Sequence, residues 1–262
     1  MPSGADERTK GRFIDVKLLH YEHEIVSVRL GFSPIRHGFL PQREPCRQAP
    51  TSTKGQIVMT YPPVPAVNDI ASHFSAAVRA SVLGETPYRH WRLCDVLPID
   101  ICTGILTLPI VPSMLGNTDG TRNSYNNRRT FVTPKLRQDF PTLAALTEAL
   151  QRPSVAKALV DTCHIKAEGS FLRIEYIQDT DGAWLEPHRD IPEKLFSMVI
   201  YLFTGPEAKD WGTDIYDADV KWCGRSSGTF NSATIFIAGP NTWHGFEPRP
   251  IHGVRRLMEI NY

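Results

Sequence analysis

The sequence has no excess of charge of one sign. Its 29 basic and 28 acidic residues leave a formal net charge of +1. Proteins that bind nucleic acid or a membrane surface usually carry a strong basic field. We therefore expect neither nucleic acid nor a membrane as a partner, and a charged ligand would have to be bound by a local group of side chains.

Cysteines in CxxC pairs and long apolar runs are also missing. The five cysteines are odd in number and include no CxxC pair, which argues against a disulfide framework and a zinc knuckle. The opening residues, MPSGADERTKGRF, lack the apolar core of a signal peptide, and the apolar stretch at 101–115 is broken by prolines. These features predict a cytoplasmic protein that does not span a membrane.

The composition is that of a globular protein. With 41% hydrophobic and 22% charged residues, the chain can bury a sizeable core. A length of 262 residues would allow two small domains, but β-barrels and sandwiches of this size often fold as one unit. We predict one domain over 1–262; the oligomeric state is not predictable.

Residues 1–65 are the least regular part of the sequence. A possible strand, HEIVSVRLGF at 23–32, precedes a proline-rich segment, LPQREPCRQAPTSTKG at 40–55. The second segment is typical of a surface connection, and a lid over a site is the alternative.

Residues 66–168 are predicted to give helical support. In AVNDIASHFSAAVRASVLGE, at 66–85, apolar residues recur every four positions from Ile70 to Val82, and Gly84 provides a C-terminal stop. Further helices are predicted over 140–151 and 152–163. We expect these helices to cover one face of a sheet.

Residues 169–262 are predicted to be mainly β. Short runs rich in aromatic and β-branched residues follow one another, separated by Gly, Pro, Asp and Asn: SFLRIEYIQ, LFSMVIYLF, TDIYD, TFNSATIFIA and VRRLMEINY. The fold class is therefore mainly β with flanking helices, most simply a sandwich or a jelly-roll barrel.

A candidate metal site lies in this β-rich half. In an extended chain, His188 and Asp190 point to the same side because they are two residues apart. His244 follows another predicted strand and supplies a third ligand. Two histidines and one carboxylate on one side of a metal leave its other positions open.

An arginine completes the pattern. Arg255 lies on the last predicted strand, and a guanidinium inside a barrel needs an anionic partner, such as a carboxylate bound in a bidentate way. The alternation of strand side chains sends the neighbouring Arg256 to the opposite face.

This combination resembles the iron(II)/2-oxoglutarate-dependent dioxygenases. The similarity covers residues 169–262 and includes LRIEYIQDTDGAWLEPHRD, WGTDIYD and NTWHGFEPRPIHGVRRLMEINY, which also resemble a bacterial subgroup acting on small molecules such as free amino acids. The resemblance implies a double-stranded β-helix core, a jelly-roll like that of the cupins. It also implies that His188, Asp190 and His244 bind Fe(II) and that Arg255 binds the distal carboxylate of 2-oxoglutarate.

The resemblance suggests further cosubstrate contacts. In related enzymes a tyrosine at the place of Tyr201 hydrogen-bonds the same carboxylate, although a core tyrosine is an equal alternative. Tyr176 is a weaker candidate for a contact with cosubstrate or substrate. Trp184 is a candidate wall of the substrate pocket, with plain core packing as its alternative.

The polar segment GTRNSYNNRRTFVTP, at 120–134, has two interpretations. One is a solvated loop. The other is a substrate-binding loop in which Arg122, Asn127 and Arg129 donate hydrogen bonds to a small anionic or zwitterionic substrate.

The resemblance implies an oxidoreductase that oxidises an unactivated C–H of a small polar metabolite, such as an amino acid or its derivative. Hydroxylation is favoured, O₂ is consumed, and 2-oxoglutarate is converted to succinate and CO₂; desaturation and cyclisation use the same ligands. No catalytic residue beyond the metal centre is expected. Because halogenating relatives have a small residue in place of the carboxylate, Asp190 argues against halogenation. The alternative is a cupin-like metal-binding barrel that acts as a hydrolase or isomerase, or that binds a ligand without chemistry.

Overall fold

The computed structural model describes residues 63–113 and 119–262. The helices in these ranges are α1 (Val67–Arg79), α2 (Ile99–Leu106), α3 (Arg122–Asn126), α4 (Pro134–Asp139), α5 (Pro141–Leu150) and α6 (Pro153–Cys163). The strands are β1 (Val82–Gly84), β2 (His90–Leu93), β3 (Arg129–Phe131), β4 (Arg173–Asp179), β5 (Leu185–His188), β6 (Ser197–Tyr201), β7 (Asp214–Tyr216), β8 (Trp222–Arg225), β9 (Ser232–Phe236), β10 (His244–Phe246) and β11 (Arg255–Asn261).

The strands form two antiparallel sheets. The larger has seven strands in the order β1-β2-β9-β6-β11-β4-β3, and the smaller has four in the order β5-β10-β7-β8. In the larger sheet, β11 pairs with β4 along its whole length, and Arg255 lies opposite Asp179. β11 also pairs with β6 on its other side.

The two faces of the larger sheet pack against different layers, because successive strand side chains point to opposite faces. On β11, Met258 and Ile260 are fully buried in an apolar core with helices α1, α2, α5 and α6. On the other face, Leu257 packs with Leu185 and Phe246 of the smaller sheet. The molecule is thus layered as helices, large sheet and small sheet.

Helices α5 and α6 confirm the predictions over 140–151 and 152–163. Each begins with a proline, which is tolerated in the first helical turn because the N–H there has no intrahelical partner. The helix predicted over 66–85 is confirmed only as far as Arg79. The predicted helix end at Gly84 is wrong, because Val82–Gly84 pairs with β2 as an edge strand of the larger sheet and its backbone groups bond across the strands instead of along a helix.

The five runs predicted to be strands in the C-terminal half contain β4, β6, β7, β9 and β11. The prediction of a mainly β fold with flanking helices is therefore confirmed. The possible strand at 23–32 and the segment at 40–55 lie outside the described residues. In the part of the chain that the structure describes, no helix combines the length and the apolarity needed to cross a membrane.

Candidate metal centre

His188, Asp190 and His244 meet between the two sheets. One ligand-capable atom from each lies within 4.8 Å of those of the other two. His188 ends β5 and His244 begins β10, and the two residues are paired in the antiparallel register. The structure thus brings together the three residues that the sequence pattern selects as ligands.

A shift in the pairing of β5 with β10 places His188 on the inner face. His244 pairs with His188, but Phe246 pairs with Leu185, so β5 contains one more residue than β10 over this interval. A bulge of this kind redirects the side chains that follow it. The strands are also close here, since a Cβ on Gly245 would lie 2.8 Å from the carbonyl oxygen of Leu185. Glycine at 245 therefore permits the approach of the two histidine-bearing strands.

Both histidines are held in the form that binds a metal. Nδ1 of His188 lies 2.9 Å from the carbonyl oxygen of Glu186, and Nδ1 of His244 lies 3.0 Å from that of Thr242. A carbonyl oxygen only accepts, so each Nδ1 carries the proton and each Nε2 keeps its lone pair. Burial lowers the pKa of His188 to about 3, with a further contribution from His244, and burial also lowers the pKa of His244. Neutral imidazole is the ligating form.

Asp190 is held by three donors. Lys194 Nζ lies 2.7 Å and Arg122 Nη2 lies 3.1 Å from its Oδ1, and Ser197 Oγ donates to its Oδ2 over 2.5 Å. Burial acts to raise the pKa of Asp190, but the ammonium group of Lys194 and the hydrogen bond it donates help to lower the pKa overall. The carboxylate is therefore ionised and fixed in orientation, with Oδ2 3.9 Å from Nε2 of His244.

Arg255 lies deeper between the sheets, almost fully buried, and it lines the same cavity as the three candidate ligands. Its Nε donates to the carbonyl oxygen of Trp211, and its Nη1 donates to Asp179 at 2.5 Å. Its guanidinium carbon lies 3.8 Å from the ring centre of Phe246. Nη2 has no hydrogen-bond partner among the described residues, so this group is available to a bound anion.

A network of buried charged side chains surrounds the site. The sequence analysis does not identify Lys194, Glu175 or Glu259 as members of it. Lys194 donates to Glu259 at 2.8 Å as well as to Asp190, and Arg129 pairs with both Glu259 and Glu175. Two signals for it exist in the sequence. Glu259 lies four residues after Arg255 on the same strand and therefore points to the same face, and Lys194 follows Asp190 by four residues.

The central cavity is small. It has a volume of about 40 Å³, which is room for one or two water molecules. Three arginines line it together with the candidate ligands: Arg122, Arg129 and Arg255. The site thus combines a candidate metal centre with three arginines, each paired with a carboxylate.

The other predicted contacts have mixed outcomes. Tyr201 is fully buried on the site side of β6, but its hydroxyl bonds Thr213 and Ser226. Tyr176 does not line the cavity. It lies on the face of β4 that packs against the helices. Side chains alternate along a strand, so Tyr176 points the same way as Ile174 and away from Ile177, which faces the site.

The segment at 120–134 folds over the site as α3 and β3, so its interpretation as a solvated loop is wrong. Arg122 and Arg129 reach the cavity, as described above. Asn127 does not, since it is exposed at the end of α3. Trp184 does not line the cavity either: its ring packs against Gly120, whose φ of +75° favours glycine.

No protein-family profile matches the chain, and no curated protein does. The chain is similar to several solved structures, among them a prolyl 4-hydroxylase from Phytophthora capsici (12% identity, 74% of this chain and 61% of that one, TM-score 0.47). Others are a prolyl hydroxylase from Trichoplax adhaerens, in complex with a hypoxia inducible factor peptide (12%, 75% and 90%, 0.48), and the α-ketoglutarate-dependent carbocyclase SnoK from nogalamycin biosynthesis (11%, 76% and 86%, 0.46). All three likenesses are remote in sequence, at 11–12% identity.

Proposed function

We propose that this protein is an Fe(II)/2-oxoglutarate-dependent oxygenase with a jelly-roll core over 169–262. One observation carries the proposal: His188, Asp190 and His244 line the same cavity as Arg255. A metal site and a buried guanidinium that face one small cavity are suited to a molecule that chelates a metal at one end and carries a carboxylate at the other.

The three residues fit a divalent iron ion. Two neutral imidazole nitrogens and one carboxylate oxygen are the donor set of non-haem Fe(II) sites that keep open positions. His188 and His244 have their Nδ1 protons fixed by carbonyl oxygens, so both Nε2 atoms remain for the metal. Ser197 and Lys194 hold the carboxylate of Asp190 in place from behind.

Arg255 fits the distal carboxylate of 2-oxoglutarate. Its Nη2 has no partner among the described residues, while Nε and Nη1 anchor the guanidinium to Trp211 and Asp179. Charge-assisted bonds of this kind are about twice as strong as neutral ones. The present volume of about 40 Å³ is too small for 2-oxoglutarate, so binding has to widen the cavity by moving the side chains that line it.

Bound iron and 2-oxoglutarate together supply the oxidation of an unactivated C–H by O₂, with release of succinate and CO₂. The protein's own groups position the reactants and exclude water. The cavity has apolar walls formed by Leu257, Phe246 and Ile177. Arg122 also lines the cavity and donates a hydrogen bond to Asp190. We extend the proposal to a small-molecule substrate, such as an amino acid or its derivative, that is hydroxylated.

A hydrolase is the rival function, and it would need a general base beside a metal-bound water. Of the acidic residues that line the cavity, Asp190 belongs to the metal cluster and Glu259 has both oxygens bound to cations, Oε1 to Lys194 and Oε2 to Arg129. A carboxylate held in this way is a poor base. The geometry therefore supports an oxygenase over a hydrolase.

The test is succinate formation from 2-oxoglutarate with Fe(II), O₂ and candidate substrates, compared between the wild type and His244→Ala. The matched control is His252→Ala, which removes an exposed histidine outside the cavity. We expect turnover in the wild type and the control and none in His244→Ala. Full turnover that survives in His244→Ala would refute the proposal.

A further inference from the structure

A second and much larger cavity lies beside the metal centre. Its volume is about 870 Å³, within the usual range for sites that bind small molecules. It is formed where β4 begins and β11 ends, between the segment that leads from β3 into α4 and the segment 191–195. The proposed chemistry of the small cavity does not account for it.

The walls of this cavity are largely apolar. Phe171 and Ile191 line it and are about half exposed, at 47% and 50%. Leu172, Leu195 and Tyr262 contribute further apolar surface. Exposed apolar side chains that converge on one concave site are typical of a ligand site rather than of ordinary protein surface.

The charged side chains at this cavity are mostly basic. Five basic residues and two acidic residues line it: Lys135, Arg137, Lys166, Arg173 and Lys194, with Glu168 and Glu193. Several of these cations have internal partners, such as Glu175 for Arg173 and Asp139 for Lys135.

Arg137 and Lys166 differ from the other basic residues of the cavity. No acidic side chain in the described part of the chain pairs with either of them. The cavity therefore has apolar walls and two cations that are available to a ligand.

Lys194 connects the large cavity to the metal centre. Its side chain lines the large cavity, while its Nζ lies 2.7 Å from Oδ1 of Asp190. A ligand in the large cavity is thus separated from a candidate metal ligand by one side chain. To reach the metal, a ligand in the large cavity has to displace Lys194 from its pairs with Asp190 and Glu259.

We propose that the large cavity is the substrate site and that it takes an amphipathic carboxylate, with an apolar body and an anionic group that pairs with Arg137 and Lys166. Turnover of this ligand depends on the proposed oxygenase function, whereas binding of the ligand does not. An apolar body fills the space between the apolar walls around Phe171, and a free amino acid with a short polar side chain would leave that space empty. An apolar or aromatic acid, or an amino acid acylated with such a group, matches both features.

Binding can be measured on the full chain, without added iron or 2-oxoglutarate, by calorimetry with 4-phenylbutyrate. The comparison ligands are 4-phenylbutan-1-ol, which lacks the charge, and butyrate, which lacks the apolar body. We expect 4-phenylbutyrate to bind at least about tenfold more tightly than either, since both halves of the cavity contribute. Equal binding of the alcohol, or no binding of the acid, would contradict the proposal.

Variants locate the site. The double variant Arg137→Gln with Lys166→Gln is expected to weaken 4-phenylbutyrate binding about fivefold, as two partly exposed charges would. Lys157→Gln with Lys209→Gln is the matched control, since it removes two basic residues that do not line the cavity. Equal weakening in both pairs would show that net charge, and not the cavity, attracts the acid.

Phe171→Asp tests the apolar wall, with Val111→Asp as a control at an exposed apolar residue outside the cavity. We expect Phe171→Asp to abolish binding and Val111→Asp to preserve it.

Turnover separates this inference from the oxygenase proposal. With Fe(II) and 2-oxoglutarate present, arylalkanoates should stimulate succinate release in the wild type and not in Phe171→Asp. If no substrate of any class gives turnover but the acid still binds as expected, the oxygenase proposal fails and the cavity remains a ligand site. If another substrate gives turnover that Phe171→Asp leaves unchanged, the role of the cavity as the substrate site is wrong.

Discussion

The two faces of the larger sheet have opposite characters, although the same strands build both. Along β11, Met258 and Ile260 point into an apolar cluster formed with the helices, whereas Glu259 on the other face joins a buried network with Lys194 and Arg129. The apolar face derives its stability from hydrophobic burial. The charged face is stable only because each buried charge has a partner, since an unpaired buried charge is strongly destabilising.

This difference indicates where stability and function lie. The helix-facing side contains the larger of the two apolar clusters, and the side that faces the small sheet holds the candidate ligands and arginines. Substitutions on the two faces should therefore separate in their effects: those on the helix side lower the free energy of unfolding, and those on the site side change metal or cosubstrate binding.

The largest expected effect is that of Asp190→Ala. The variant removes one of three candidate ligands, so we expect the affinity for Fe(II) to fall by about 1,000-fold or more, with loss of turnover. Metal titration of the purified variant measures the affinity, and the melting temperature shows whether it is folded. A folded variant that keeps wild-type iron affinity would exclude Asp190 as a ligand.

On the opposite face, Met258→Ala is expected to reduce the free energy of unfolding by about 3 kcal/mol, because a fully buried side chain leaves a cavity in the core. Denaturant titration measures this change. The Michaelis constant for 2-oxoglutarate should stay unchanged in the folded variant. A change in that constant without a loss of stability would show that the two faces are not separate.

Arg255→Lys is expected to raise the Michaelis constant for 2-oxoglutarate about 30-fold and to have a smaller effect on kcat. Lysine keeps the charge but cannot donate from several nitrogens in one plane. Arg256→Lys is the matched control, because its side chain alternates to the other face of the strand. The contrary outcome is an equal effect of both substitutions.

The smallest effect is expected for Arg189→Ala. Arg189 points away from the metal centre: it donates to the carbonyl oxygen of Pro240 and lies 4.7 Å from the ring centre of Trp243. We expect iron affinity to be unchanged and the free energy of unfolding to fall by less than about 1 kcal/mol. Loss of iron binding in this variant would show that residues 188–190 are not oriented as described.

Local patterns in the sequence predicted much of this arrangement. Alternation along the last strand separated Arg255 from Arg256, and the spacing of His188 and Asp190 indicated a shared direction. The sequence pattern did not show the bulge that places His188 on the inner face, because the bulge depends on the pairing of β5 with β10.

Long-range packing is not visible in local sequence patterns. Tyr176 is a weaker candidate for a site contact from the sequence, and the register of β4 places it on the helix side. Arg129 is a candidate substrate-binding residue from the sequence, but its burial could not be predicted, because Glu175 and Glu259, which pair with its charge, are distant in sequence. A buried charge can be recognised only together with its partners, and those come from other strands.

The most direct test of the central claim is the visible absorption of the anaerobic complex. Fe(II) and 2-oxoglutarate added together to the wild type should give the weak charge-transfer band of the chelate. Arg255→Lys should give the band only at higher 2-oxoglutarate concentration, and Asp190→Ala should give no band. A wild-type protein that binds zinc tightly and gives no band with Fe(II) and 2-oxoglutarate would contradict the account.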